Sequence, residues 1–166
     1  MKAATLHQIK KELETSSPQR ILSLLMRIIK SKTENKELVS YLLFDEDNLS
    51  GYIADLKEDV TELLNDIKYL APYQAKRSLR KALKFITKYA KYTGVKETEA
   101  ELLMHFCKIM QTQGLASGSN KIANNIYAKQ IEKIEKLVPA LHEELRFDFK
   151  EELVNLKKSI KTNYYY

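Results

Sequence analysis

His105 and Cys107 are the residues whose types and spacing most invite chemistry, a thiol nucleophile with an imidazole base two positions away. Two residues along a helix lie ~200° apart, so the pair cannot readily form a dyad. On a helical wheel Cys107 falls into an apolar stripe with Leu103, Phe106 and Met110, while His105 falls at the polar edge. That placement predicts a buried structural cysteine. The segment His-Glu-Glu-Leu-Arg at 142–146 opens like the helical zinc-protease pattern, but Arg146 stands where the second histidine ligand is needed. His7, His105 and His142 are far apart in sequence, and nothing in their spacing makes them converge. Glu-x-x-His pieces, which inward-facing di-metal bundles require, do not occur. Neither does a Gly-rich phosphate loop, a Gly-x-Ser-x-Gly elbow or a Cys-x-x-Cys pair. The chain therefore reads as non-enzymatic, with no catalytic, cofactor-binding or metal-ligating residues and no cofactor.

Charge carries the remaining signal. The net charge is +6 overall, but it is segregated: +4 over 1–44, −7 over 45–66, +9 over 67–96 and zero over 97–166. On a helix at 73–93, Lys76, Arg77, Arg80, Lys81, Lys84, Lys88 and Lys91 share an arc of about 140°. Ala75, Leu79, Ala82, Leu83, Ile86, Tyr89 and Ala90 occupy much of the opposite side. This is a continuous cationic stripe, the candidate surface for an anionic partner. Phe85 and Tyr92 lie near its edge, where aromatic rings can stack on bases. The segment before it supplies a competing reading. Asp55, Glu58, Asp59, Glu62 and Asp66 form an acidic arc beside the apolar face of a helix expected at 49–70. A short turn makes the two helices antiparallel neighbours, so their charged flanks would meet across the seam and set pairing and register. The stripe is wider than one seam.

The elements that position these residues are helices. Gly occurs four times and Pro three times in 166 residues, so few breaks interrupt a chain rich in helix formers. The periodicity predicts helices over about 3–14, 18–31, 35–44, 49–70, 72–93, 98–113, 120–137 and 140–160, the last split near Arg146 with Asp148 as a cap. Ser17 and Pro18 form an N-cap and first-turn pair. Gly94 and Gly114 close two helices, and Gly-Leu-Ala-Ser-Gly-Ser-Asn at 114–120 reads as a mobile loop. Most of the ten tyrosines read as boundary residues, with the ring buried and the hydroxyl in water.

The expected fold is all-α: about seven to nine amphipathic helices in antiparallel hairpins, as an irregular αα-superhelix or a helical bundle. One helical domain is expected over 1–161, with a frayed Tyr-rich tail at 162–166. The opening stretch Ile-Lys-Lys-Glu-Leu-Glu-Thr-Ser-Ser-Pro-Gln-Arg-Ile-Leu-Ser-Leu-Leu-Met-Arg-Ile-Ile-Lys-Ser-Lys-Thr-Glu-Asn-Lys-Glu-Leu-Val-Ser-Tyr-Leu-Leu-Phe resembles the start of a family of small helical proteins of uncharacterised function. The resemblance covers the first third to half of the chain. It implies the same αα-superhelical or bundle fold, and no activity.

A single cysteine excludes an intramolecular disulfide and suits a reducing compartment. No apolar run reaches the ~18 residues of a membrane span, and no signal-peptide pattern opens the chain, so a cytoplasmic location is expected. The expected role is binding of another macromolecule, foremost a protein. Nucleic-acid binding through the basic face at 73–93 is one alternative, and a homo-oligomeric structural protein is the other.

Overall fold

A computed structural model describes residues 2–116 and 119–161. The expected tail at 162–166, with Tyr164, Tyr165 and Tyr166, lies outside the described residues, as does part of the expected 114–120 loop. The described chain is all-α, with no strand among the described residues. It falls into two compact units, Met1–Asp45 and Glu46–Tyr166.

The first unit contains α1 (Leu6–Glu14), α2 (Pro18–Ser31), α3 (Thr33–Ser40) and a π-helical turn (Tyr41–Asp45). Each start follows from local chemistry. Thr5 accepts the Gln8 N–H at 3.3 Å while the Gln8 side chain accepts the Thr5 N–H at 2.9 Å, a reciprocal capping box. Ser17 accepts the Arg20 N–H at 3.3 Å, and Pro18 follows with its φ already helical. Lys32, in extended conformation, breaks the chain between α2 and α3. Asn35 then ties the two helices by donating to the Ile28 carbonyl at 2.9 Å. The third helix was expected to run to Phe44. The π turn instead changes its winding after Ser40, and Leu42, Leu43 and Phe44 are exposed.

The second unit begins with a 3₁₀ turn (Glu46–Asn48) and contains α4 (Leu49–Leu63), α5 (Pro72–Thr93), α6 (Lys96–Thr112), α7 (Lys121–Leu137) and α8 (Glu143–Lys161). α4 packs on α5 and α6, α5 on α6 and α7, and α6 on α7 and α8. Even-numbered helices thus form one layer and odd-numbered helices the other, an αα arrangement advancing by one helix at a time. α6 is the hub. It buries Leu102, Leu103, Met104, Phe106, Cys107 and Met110. α5 faces it with Ala75, Leu79, Ala82, Ile86 and Ala90, small residues alternating with large so that the two backbones approach closely and the large side chains interdigitate.

Two helix ends differ from the sequence expectation. The fourth helix stops at Leu63, seven residues early, because Asp66 takes a left-handed conformation (φ 55°) and the chain continues as a 3₁₀ turn, Ile67–Tyr69. Ile67 is still buried, so the apolar pattern continues across a backbone that is no longer α-helical. The last helix is not split at Arg146. Arg146 closes its first turn and donates from Nε to the Leu141 carbonyl at 2.9 Å, fastening the entry of α8. The glycine ends match: Gly94 (φ 67°) and Gly114 (φ 71°) both take the left-handed conformation that terminates a helix.

Candidate functional site

α5 projects the cationic stripe over ~22 Å, the rise of the fifteen residue steps from Lys76 to Lys91. Arg77, Arg80, Lys81, Lys84 and Lys91 are exposed, and Lys76 and Lys88 are half-buried. The structure therefore brings all seven candidate residues onto one helix face, opposite the buried alanine-leucine-isoleucine face. Lys88 lies with its ammonium 4.9 Å from the Tyr89 ring centroid, a cation–π contact.

The acidic neighbour does not neutralise the stripe by direct pairing. Among the described residues, Lys76, Arg77, Arg80, Lys81, Lys84 and Lys91 form no ion pair within 4.0 Å. Lys81 does line a surface groove with Asp59, Glu62, Leu63 and Phe85, so the flanks approach at that point. Asp55, Glu58, Asp59 and Glu62 stay exposed on α4. Partial burial, and then the nearby Glu62 and Asp55 charges, raise the Asp59 pKa above the ordinary carboxylate value. An acid raised on folding favours the folded state below its unfolded pKa and opposes it as pH rises through the folded pKa. Asp59→Asn is thus expected to raise Tm slightly at pH 7, with the difference vanishing near pH 3; thermal melts at both pH values check this.

Among the described residues, four interhelical ion pairs join other elements. Lys57 of α4 pairs with Glu101 of α6 at 2.6 Å, Lys108 of α6 with Glu152 of α8 at 2.6 Å, and Lys133 of α7 with Glu99 of α6 at 2.6 Å. Lys157 of α8 pairs with Glu135 of α7. All but Lys57 belong to the block whose sequence charge sums to zero, and that neutrality was the available signal for internal pairing. The contrast with α5 is one of composition: the +9 block contains no acid of its own.

The aromatic rings near the stripe engage one another. Phe85 and Tyr89 lie with centroids 4.4 Å apart, and Tyr89 and Tyr92 meet edge-on at 5.4 Å. All three are half-buried and run along the helix. Tyr69 and Tyr73, by contrast, are exposed.

The residues with chemical potential elsewhere hold the fold together. Cys107 is fully buried, and burial pushes its thiol pKa well up, which suppresses the nucleophilic thiolate. His105 points to α4, with Nε2 3.1 Å from the Lys57 carbonyl and 2.9 Å from Thr61 Oγ1. Burial lowers its pKa, opposed by the Lys57 bond. His142 is exposed, and its ring lies 4.0 Å from Glu144. Among the described residues no three His, Cys, Asp or Glu side chains cluster closely enough to hold a metal ion. No helix of the described residues is long and apolar enough to cross a membrane.

Comparison of the chain with protein-family models, with curated proteins and with solved structures finds no significant match.

Proposed function

We propose that this is a non-enzymatic helical protein whose role is to bind another protein, with the α5 stripe as the contact surface for an acidic partner. The observation that carries this reading is the unpaired state of Arg77, Arg80, Lys81, Lys84 and Lys91 among the described residues, beside four interhelical lysines that are all paired. The stripe sits on the outside of a helix whose other face is locked into the core, so its backbone is already ordered for binding. The aromatic neighbours favour protein over single-stranded nucleic acid, because Phe85, Tyr89 and Tyr92 spend their faces and edges on one another rather than standing clear as a base platform.

The test compares a glutamate-rich peptide with single-stranded and duplex oligonucleotides, using the native chain and an Arg77→Glu/Arg80→Glu/Lys84→Glu variant. The peptide is expected to bind, and the variant to bind it about a hundredfold more weakly at low salt, from ~0.5 kcal/mol per lost contact and a similar repulsion in its place. Oligonucleotide affinity that exceeds the peptide's and falls with log salt at about −0.9 per phosphate contacted transfers the stripe to nucleic acid. Failure of all three probes at low salt refutes the stripe as a binding surface.

Self-association has its own support. α4 presents Asp55, Glu58, Asp59 and Glu62 exposed, without ion pairs among the described residues, so one chain carries both unpaired signs. An assembly built that way loses mass in light scattering as salt rises, and the charge-reversal variant stays monomeric.

A further inference from the structure

We infer that α2 is a surface-seeking helix that lies in the headgroup region of an anionic lipid bilayer. This site is separate from the α5 stripe and rests on different residues. Taking 100° per residue, Leu24, Ile28, Ile21, Leu25, Ile29, Leu22 and Met26 cover a continuous arc of about 200°. Gln19, Lys30, Ser23, Arg27, Arg20 and Ser31 fill the remaining side. No residue from 15 to 33 is acidic, while Arg20, Arg27, Lys30 and Lys32 are basic. A wide aliphatic face backed by bases alone is the pattern of an interfacial helix.

The structure leaves most of that face accessible, with Leu24 and Ile29 half-buried and Leu24 lining a groove with Ile9 and Leu13 of α1. α1, α2 and α3 bury none of their residues. Leu22 is 60 % exposed and Ile28 54 %, with Ile21, Leu25 and Met26 also exposed. Yet the helix is well made, with an N-cap, a proline start and a tie to α3 through Asn35. In the same unit Phe44 presents a 77 % exposed ring, the kind of side chain that settles at a headgroup boundary.

Charge decides among occupants. A second copy laid against α2 would bring like-charged rims together with no acid on α2 itself to pair them, the acid in the groove beside Arg20 and Leu24 being Glu12 of α1. Anionic headgroups complement those rims, and long basic side chains reach the headgroup plane while the aliphatic face sits in the acyl boundary. Fourteen residues of helix span ~21 Å, short of the ~30 Å hydrocarbon core, so the helix lies along the surface instead of crossing it.

The chain contains no tryptophan, which makes a single introduced one a clean reporter. With phosphatidylcholine vesicles containing phosphatidylserine, Leu22→Trp emission is expected to shift blue and Ser23→Trp, on the polar side, to stay put. Arg20→Gln/Arg27→Gln/Lys30→Gln is expected to weaken partitioning about a hundredfold, from about fivefold per charge removed. Leu22→Glu/Ile28→Glu is expected to abolish binding, with an unchanged circular dichroism spectrum because neither side chain belongs to the core. The α5 charge-reversal variant is expected to bind vesicles as the native chain does, so this result stands or falls apart from the stripe. No blue shift on anionic vesicles overturns the inference, as does an equal shift at positions 22 and 23. Equal binding to pure phosphatidylcholine overturns the anionic assignment. A dimer that Leu22→Glu dissociates, with no vesicle binding, gives the face to a second copy.

Discussion

Phe106→Ala is expected to lower the unfolding free energy by about 4 kcal/mol, a large share of the ~5–15 kcal/mol that holds a protein of this size together. The ring is fully buried on α6, the helix that touches α4, α5, α7 and α8. Removing it deletes apolar surface and leaves a void. The void cannot close by shifting one neighbour, because α6 is held on several sides and by ion pairs to α4, α7 and α8. Phe106→Leu, which keeps most of the volume, is expected to cost about 1.5 kcal/mol or less. Urea unfolding of both variants reads the difference directly. Equal losses for Ala and Leu would show that the site relaxes and that α6 is not the hub described above.

Tyr127→Ala is expected to be of similar size, and Tyr127→Phe separates its causes. The ring is fully buried, and its hydroxyl donates to the Leu156 carbonyl at 2.8 Å, linking α7 to α8. Phenylalanine keeps the ring and removes one buried hydrogen bond, at about 0.5–1.5 kcal/mol, because the Leu156 carbonyl lies within α8 and keeps its helical partner. Alanine adds the cavity, for a total of about 4–5 kcal/mol. Burial raises the pKa of this hydroxyl above its ordinary value, with the nearby Cys107 adding to the rise, and burial raises the Cys107 thiol too. The sign follows. Both groups hold their protons in the folded chain and release them more readily in the unfolded one. Stability is therefore fully present below the unfolded pKa values, near 9.0 for the thiol and 10.0 for the phenol, and lost as pH rises past them. Tyr127→Phe is expected to flatten that alkaline decline while lowering stability at neutral pH.

Much of this was legible in the sequence because backbone punctuation is local. Ser17 with Pro18, Pro72, Gly94 and Gly114 each mark an end that depends on their own φ and side-chain oxygen, and each marks it correctly. The end of α4 was hidden because Asp66 carries a positive φ without being glycine, and because Ile67 remains apolar and buried after the helix has stopped. A wheel also reports direction without depth. It places Tyr127 on an apolar face but does not distinguish a boundary ring from one at the centre, and depth is set by which helices close over it. For the same reason it gives α2 a broad apolar face without saying that the face is left accessible. The stripe residues share a face as their spacing requires. Which lysines pair was legible only as block neutrality, because pairing depends on contacts such as α6 with α8 that are distant in sequence.

The contact order of the second unit also governs how it is built. α4, α5 and α6 each rest on their next and next-but-one successors, and α7 rests on α8, so the major contacts there close short loops. Chains with such local contacts fold fast, and synthesis supplies the helices one at a time from the N-terminal side. As the polypeptide emerges from a ribosome, α4 and α5 can pair at once, but their shared apolar seam stays open until α6 arrives to cover both. The arrival of α6 is then the committing step of synthesis. Amides of α6 are expected to exchange with solvent most slowly, and chains arrested before residue 96 to remain sensitive to protease.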